Sequence, residues 1–583
     1  VFIAAVAVTG IFFSPCFKIS EESGIDKLQG WAPGQAWPSG FFLVPDEVNL
    51  KTGPGEIIEV SDPGEIREIG ETGDMGEIRE IRDTRDTREI DEQEGLVYIY
   101  LFPAFSTHVL DPFVRVTERD ENNHVAVARV NPVSLEALVL LEEVRGIRTV
   151  SPPLVRKVFP HGGNYQDGNS HIPGLENFGK FNEVSGKGVR VGIISDGVDS
   201  FAGAQAAGAL PGDVHVLAAG KGDEGTAMLE IVHGIAPDAE LYFHEAGSNK
   251  FEFNKAVDAL LAEGCQVICD DIGWPDEPFF EDGVVASHVR EALESRDLLY
   301  VSAAGNDASR HYQGMFFDDG SGWHDFSSGN SSSKNLYVDI PPGGEVTVVL
   351  QWNDPWDASE NDYDLYLKDC SDGEELASSK NSQDGKGVPL EFFRYANPEI
   401  TARKGMVCIE KYSGEPKVLE VFIYPESCRD VYPDNLVEED SVFGHPAVPG
   451  VLCVGAVDST CSLGSVGPVG LEKGASGIAP YSSRGLVSIY SPQYEVREKP
   501  DLCGPGSMEL RGTEESKNLF AGTSASAPYV AGVAALIWST HPEINGSEIR
   551  EILCSTAGDL GTPGYDSIFG YGIVDASAFM EGQ

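Results

Sequence analysis

From Gly186 onward the chain alternates between short, wholly apolar runs and helical segments, and this alternation restricts the fold more than any other feature. GVRVGII, VHVLAA, AELYFHEA, QVICDDI and LLYVSAAGN follow one another, separated by segments such as Phe251–Leu261 and Val285–Glu294 with helical patterning. A strand apolar on both faces must be covered on both, so a parallel sheet packed between helices is expected. Between about Phe316 and Asp430 the helices vanish. NLYVDI, EVTVVLQW, YDLYL, LEFFRY, KGMVCIE and VLEVFIY are separated by turn residues at sandwich-like spacing. The expected fold class is therefore α/β with a parallel sheet, interrupted by an inserted β-sandwich.

Ahead of this core, residues 96–158 read as a small α+β unit. VYIYLF and VAVARV look like strands, and apolar residues recur every three places from Leu135 to Val144, with Ser134 placed to cap a helix. Residues 20–95 hold little periodicity, and GEIREI occurs twice between Gly64 and Ile81, so an acidic low-complexity linker is expected. The opening run VFIAAVAVTGIFF is shorter than the ~20 residues of a spanning helix. It reads as the apolar part of a signal peptide over residues 1–19, which implies a secreted or cell-surface protein and no membrane partner beyond an N-terminal anchor.

Charge narrows the partners. The chain carries 41 Lys+Arg against 93 Asp+Glu, a net of −52, so the phosphate attraction behind nucleic-acid binding has the wrong sign. Ten cysteines in 583 residues make no dense disulfide framework. Cys265 and Cys269 lack the second pair of a zinc site, and Cys370 with Cys408 is the disulfide to test first.

The strongest chemical signal is FAGTSASAPYVAGVAALIW, Phe520–Trp538. A serine after Gly-Thr opens a helix of small and apolar residues, with Pro528 expected in its first turn. Ser524 then stands at a helix N-terminus, whose amides favour developing negative charge. GTSASAP is similar to the nucleophile motif of subtilisin-like peptidases, and other landmarks fall in that family's order. VSAAGND resembles the oxyanion strand and implies Asn306 as its donor. CDDIGW resembles the edge strand that lines up substrate, implying Ile272 and Gly273 as substrate-binding residues. The resemblance covers roughly residues 175–310 and 440–583, implying a catalytic domain in two parts, 165–315 and 440–583, with the sandwich at 316–430 resembling the jelly-roll modules of secreted peptidases. It also likens residues 96–158 to part of a propeptide, a partner from the same chain, and it implies protein or peptide substrates.

Two positions depart from the family. Its first strand ends Asp-Ser/Thr-Gly, whereas GIISDGVDS reads Ser195-Asp196-Gly197, one place later. The landmark IAPDAELY sets Glu224 where the family has its general-base histidine. His233 and His244 match no motif position and read as structural. A Ser–Glu–Asp site has precedent in the sedolisins, although the Glu-x-x-x-Asp pair of those enzymes is missing, since Met228 follows Glu224 by four. A carboxylate becomes a useful base when burial or a second acid raises its pKa, and Asp196 and Asp271 are the candidates for that second acid. Asp270 and Asp271 as cation ligands are the competing reading. No cofactor is required for such chemistry. Structural calcium is an expectation from the family, with Asp354, Asp357, Asp362 and Asp364 as candidate ligands. An acid-active exported serine endopeptidase is expected; the alternatives are an inert scaffold that binds through its sandwich and an adhesion protein that trims only itself.

Overall fold

The computed structural model describes residues 41–43, 57–62, 65–69, 95–121, 124–155, 184–318, 320–327, 335–385, 387–425, 435–458, 477–510 and 519–575. The signal-like segment 1–19 and the second GEIREI repeat lie outside them.

Seven parallel strands run through the centre in the order His215–Ala218, Glu240–Glu245, Arg190–Ser195, Val267–Asp270, Leu299–Ala303, Leu452–Val457, Leu502–Pro505. The middle strands are buried on both faces, as their unbroken apolar runs require. One face packs against helices Glu224–Ile235 and Thr523–Thr540 and the other against Lys250–Ala262 and Val284–Ser295. The Lys250–Ala262 helix starts where Asn249 accepts the N–H groups of Phe251 and Glu252. The α/β parallel-sheet fold is the expected one.

The insertion leaves this sheet intact. It departs after Leu299–Ala303 and returns to Leu452–Val457, and these strands are direct neighbours, Val301 opposite Leu452. Between them stand two four-stranded antiparallel sheets. One is ordered His311–Met315, Val418–Pro425, Glu345–Trp352, Leu390–Ala396; the other Leu336–Ile340, Arg403–Ser413, Asp362–Asp369, Glu375–Ser379. Alternate residues from both meet in one core around Trp352, Tyr363, Val348 and Ile409. Its first strand begins at His311, earlier than the expected 316. The Cys370–Cys408 disulfide is not formed: both are free thiols, Cys408 sitting in the ladder opposite Tyr366 while Cys370 lies just beyond a strand end.

The N-terminal unit is an antiparallel sheet, Phe41–Leu43, Val144–Thr149, Gly95–Leu101, Val125–Val130, Arg115–Asp120, with helix Pro132–Val139 beside it. Ser134 does not cap this helix. Asn131 does, accepting the Ser134 N–H at 2.9 Å, with Pro132 next to it, and Val144 belongs to the following strand. Inside the span expected to be a linker, Ile57–Asp62 and Glu65–Ile69 form a hairpin, and Phe41–Leu43 is an edge strand.

All three bodies share one apolar cluster. Tyr98, Tyr100, Val125 and Val127 of the N-terminal unit meet Phe279, Phe280 and Phe443 of the core and Val349, Phe422 and Tyr424 of the sandwich. The Phe422 ring lies 4.9 Å from those of Phe279 and Phe443. Phe422→Ala removes this keystone, and denaturant unfolding is expected to show a loss of about 3–5 kcal/mol.

Candidate active site

The Thr523–Thr540 helix is buried on all sides as far as Trp538. Its small residues permit this: a Cβ on Gly532 would lie 2.9 Å from the Ile235 Cβ, so the glycine sets how closely it approaches the Glu224–Ile235 helix. Gly522, at φ 125°, leads into it, and no side chain caps its start. Ser524 is thus at the amide-rich end of a helix and fully buried. Pro528 is the sixth residue of the helix rather than a first-turn residue, because the helix begins at Thr523.

Asn306 is bound to that same helix start. Its Oδ1 accepts the Thr523 N–H and the Thr523 hydroxyl, each at 3.0 Å. A backbone N–H can only donate, so the amide oxygen faces Thr523 and the amide NH2 is turned the other way. The preceding Gly305, at φ 118°, makes this turn; a Cβ there would meet the Ser483 Oγ at 2.6 Å. Thr523 and Ser483 were not singled out from the sequence, although Thr523 lies within the GTSASAP motif.

The acids gather at the start of the neighbouring helix. Asp196 directly follows strand Arg190–Ser195, and its Oδ1 accepts the N–H of Gly197 at 2.6 Å and of Glu224 at 3.0 Å. It holds the N-terminus of the Glu224–Ile235 helix, where a negative charge is favoured. Gly222, at φ 120°, leaves it room: a Cβ would sit 2.0 Å from Oδ2. Glu224 is buried as the first residue of that helix. Asp271 is fully buried beside it and its pKa is pushed up to about 7, chiefly by burial and then by the Asp196 charge; the Ser195 hydroxyl and Glu224 carboxyl offset part of this, and Asp270 adds to it. Asp196, Glu224 and Asp271 therefore form one electrostatic group. Ser195, at the place where the family ends its strand in aspartate, joins it. The Glu224 and Ser524 helices pack directly on each other.

Ile272–Gly273 form an edge beside this group, and the edge is taken: Ile272 pairs with Val155 and Gly273 with Leu154, antiparallel. His233 is nine residues along the helix from Glu224, about 14 Å away, with its pKa lowered by burial. The His244 ring is bonded to the Glu245 carbonyl at 2.7 Å.

The sandwich acids do not assemble around one point. Asp354 is held by Lys417, Ser359, Asn361 and the Trp352 indole, and Lys417 at 2.6 Å with these donors keeps its pKa low despite burial. Asp357 pairs with Arg145 at 3.0 Å. Asp362 accepts from Ser382 and Asp364 from Tyr366. Among the described residues no group of three or more His, Cys, Asp or Glu is arranged to hold a metal ion.

Residues 424–572 match the Subtilase family model. The chain is 41% identical over 81 residues to the Neisserial autotransporter lipoprotein NalP of Neisseria meningitidis serogroup B, covering 14% of this chain and 8% of that protein. It is 33% identical over 131 residues to a thermostable alkaline protease of Halalkalibacterium halodurans, covering 22% and 34%. These alignments span about a third or less of the relatives' own length. Among solved structures, the CspB protease of Clostridium perfringens gives a TM-score of 0.47 at 15% identity, covering 70% of this chain and 97% of that one.

The Asp271 shift has a consequence for stability. Its folded pKa of about 7 lies above the 3.8 of an ordinary aspartate. The fold therefore binds this proton more tightly than the unfolded chain, and stability falls as pH rises from about 4 through about 7. Asp271→Asn carries no titrating group, so between about pH 7 and pH 4 the melting temperature of the wild type should rise more than that of the variant in parallel thermal melts.

Proposed function

We propose that this chain is a subtilisin-type serine endopeptidase whose general base is a glutamate. The subtilase-family match over residues 424–572 supports the class. The observation that carries the mechanism is the burial of Glu224 beside Asp271 at the start of the helix packed on that of Ser524.

In this reading the Ser524 Oγ attacks the scissile carbonyl while its proton passes to the Glu224 carboxylate. The carbonyl oxygen becomes an oxyanion, received by the Ser524 N–H and the Asn306 NH2, donors of a kind worth about 3–4 kcal/mol in the transition state. Glu224 then gives the proton to the leaving amine, and water repeats the sequence to release the acyl group. A free glutamate is a weak base for a serine hydroxyl. Asp271, protonated below about pH 7, stabilises the Glu224 carboxylate as a neighbour while adding no second charge. Asp196 holds the helix on which Glu224 rides. The same argument gives an optimum on the acidic side of neutrality.

The pairing of Leu154–Val155 with Ile272–Gly273 supports a propeptide role for the N-terminal unit, whose last described residues lie where an extended substrate would pair. Location outside the cytoplasm rests on the signal-like opening and on a relative named as an autotransporter lipoprotein.

Labelling with a serine-directed fluorophosphonate across about pH 3–8 tests the mechanism. Label is expected on Ser524, strongest at acidic pH, absent in Ser524→Ala and reduced about a hundredfold or more in Glu224→Gln. A folded protein that takes no label at any pH would be an inert scaffold. N-terminal sequencing tests the propeptide role: the active chain should acquire a new N-terminus beyond Val155, and Ser524→Ala should remain uncut.

A further inference from the structure

Asp270, one residue before Asp271, lies against the opposite face of the sheet from the Ser524 helix, and the peptidase chemistry does not use it. It is fully buried, and its Oδ1 receives three donors: the Ile272 N–H at 3.0 Å, the Ser302 hydroxyl at 3.2 Å and the His445 Nε2 at 2.9 Å. Ser302 is its direct partner on the adjacent parallel strand. His445 opens the short helical turn His445–Ala447, on the stretch where the chain comes back into the core from the sandwich. Its ring packs against Phe253 and Tyr300, 5.3 and 6.3 Å between centroids. All three side chains are essentially inaccessible to solvent, so none can meet a substrate. Burying a carboxyl among aromatic and aliphatic side chains is costly unless its oxygens are well supplied with donors.

The place of the Ile272 bond gives this cost a purpose. Val267–Asp270 is flanked by parallel neighbours on both sides, whereas two residues later Ile272–Gly273 pairs antiparallel with Leu154–Val155. The chain must leave the sheet at Asp271, and the Ile272 amide must be held once it has left. A carboxyl two residues back, accepting that amide, provides the hold. Ser302 and His445 in turn fix the carboxyl from the next strand and from the sandwich return.

We infer that His445 and Ser302 are positioning residues that act through Asp270 to hold the Ile272–Gly273 edge in register for an extended peptide. The description of that edge as a substrate site rests on the peptidase reading; the mechanical claim does not. A consequence is that the sandwich, far from the reacting atoms, influences peptide binding through the turn by which it returns.

Hydrogen–deuterium exchange on the full-length chain tests this. Ser302→Ala and His445→Leu are expected to speed amide exchange at Ile272 and Gly273, and at Val155 opposite, by about tenfold or more, as expected when roughly 1.4 kcal/mol of local protection is lost. Exchange in Leu299–Ala303 and Leu452–Val457 should be unchanged. His445→Gln, which keeps a donor, should restore protection. Unchanged exchange at the edge in Ser302→Ala, or an equal rise through the whole sheet, would overturn the inference. Because the readout needs no turnover, an unlabelled Ser524 would defeat the peptidase reading and leave this result standing.

Discussion

The helix Thr523–Thr540 is the element around which the rest is arranged. Its alanines and Gly532 let it lie flat on the central sheet and close against the Glu224–Ile235 helix. The first turn of a helix so enclosed still carries unpaired amides, and what lies there must satisfy or exploit them. Asn306 takes the Thr523 N–H, which fixes the direction of its own amide. Ser524 shares the same turn. Larger side chains along this helix would separate the two helices, so the spacing between the start of each rests on this one constraint.

The treatment of charge separates the site from the remainder of the molecule. With a net charge of −52, the chain buries many carboxyls but generally gives each a cation or a set of donors. Asp501 lies against Lys499 and Arg550, and Asp276 against Arg148 and Lys250. Asp271 is different. Its charged neighbours are acids, and burial first and the Asp196 charge second raise its pKa. Glu391 in the sandwich rises too, to about 8, but there Ser379, Asn381 and Gln383 surround it with donors. A buried acid facing other acids is expensive in a structural role and useful in proton transfer.

The inserted sandwich costs the core little because it joins two strands already adjacent. It is nevertheless not a passive appendage. Phe422 and Tyr424 build the cluster on which the N-terminal unit sits, Arg145 of that unit pairs with Asp357 of the sandwich, and Arg148 lies 5.5 Å from the Trp356 ring. The N-terminal unit is thus received by two bodies at once, which fixes the angle at which Leu154–Val155 reach the edge strand.

Much of this was legible in order along the chain. Unbroken apolar strands imply a parallel sheet because period and burial are local properties, and GTSASAP points to Ser524 through its resemblance to the nucleophile motif of subtilisin-like peptidases. The sandwich followed from turn spacing. Local pattern misled where a neighbour decides: Asn131 rather than Ser134 caps a helix, and EIREI forms a strand in a charged stretch. His445 carried no signal, since its partner Asp270 is 175 residues away in sequence. The residue types of the site and the class of the fold were determined by the sequence itself, through periodicity and motif. Which carboxyl faces which, that Asp271 holds a raised proton affinity, and that the edge strand is occupied by the chain's own Leu154–Val155 were decided only by tertiary structure, because burial and the distance between charges are properties of residues that meet across the fold.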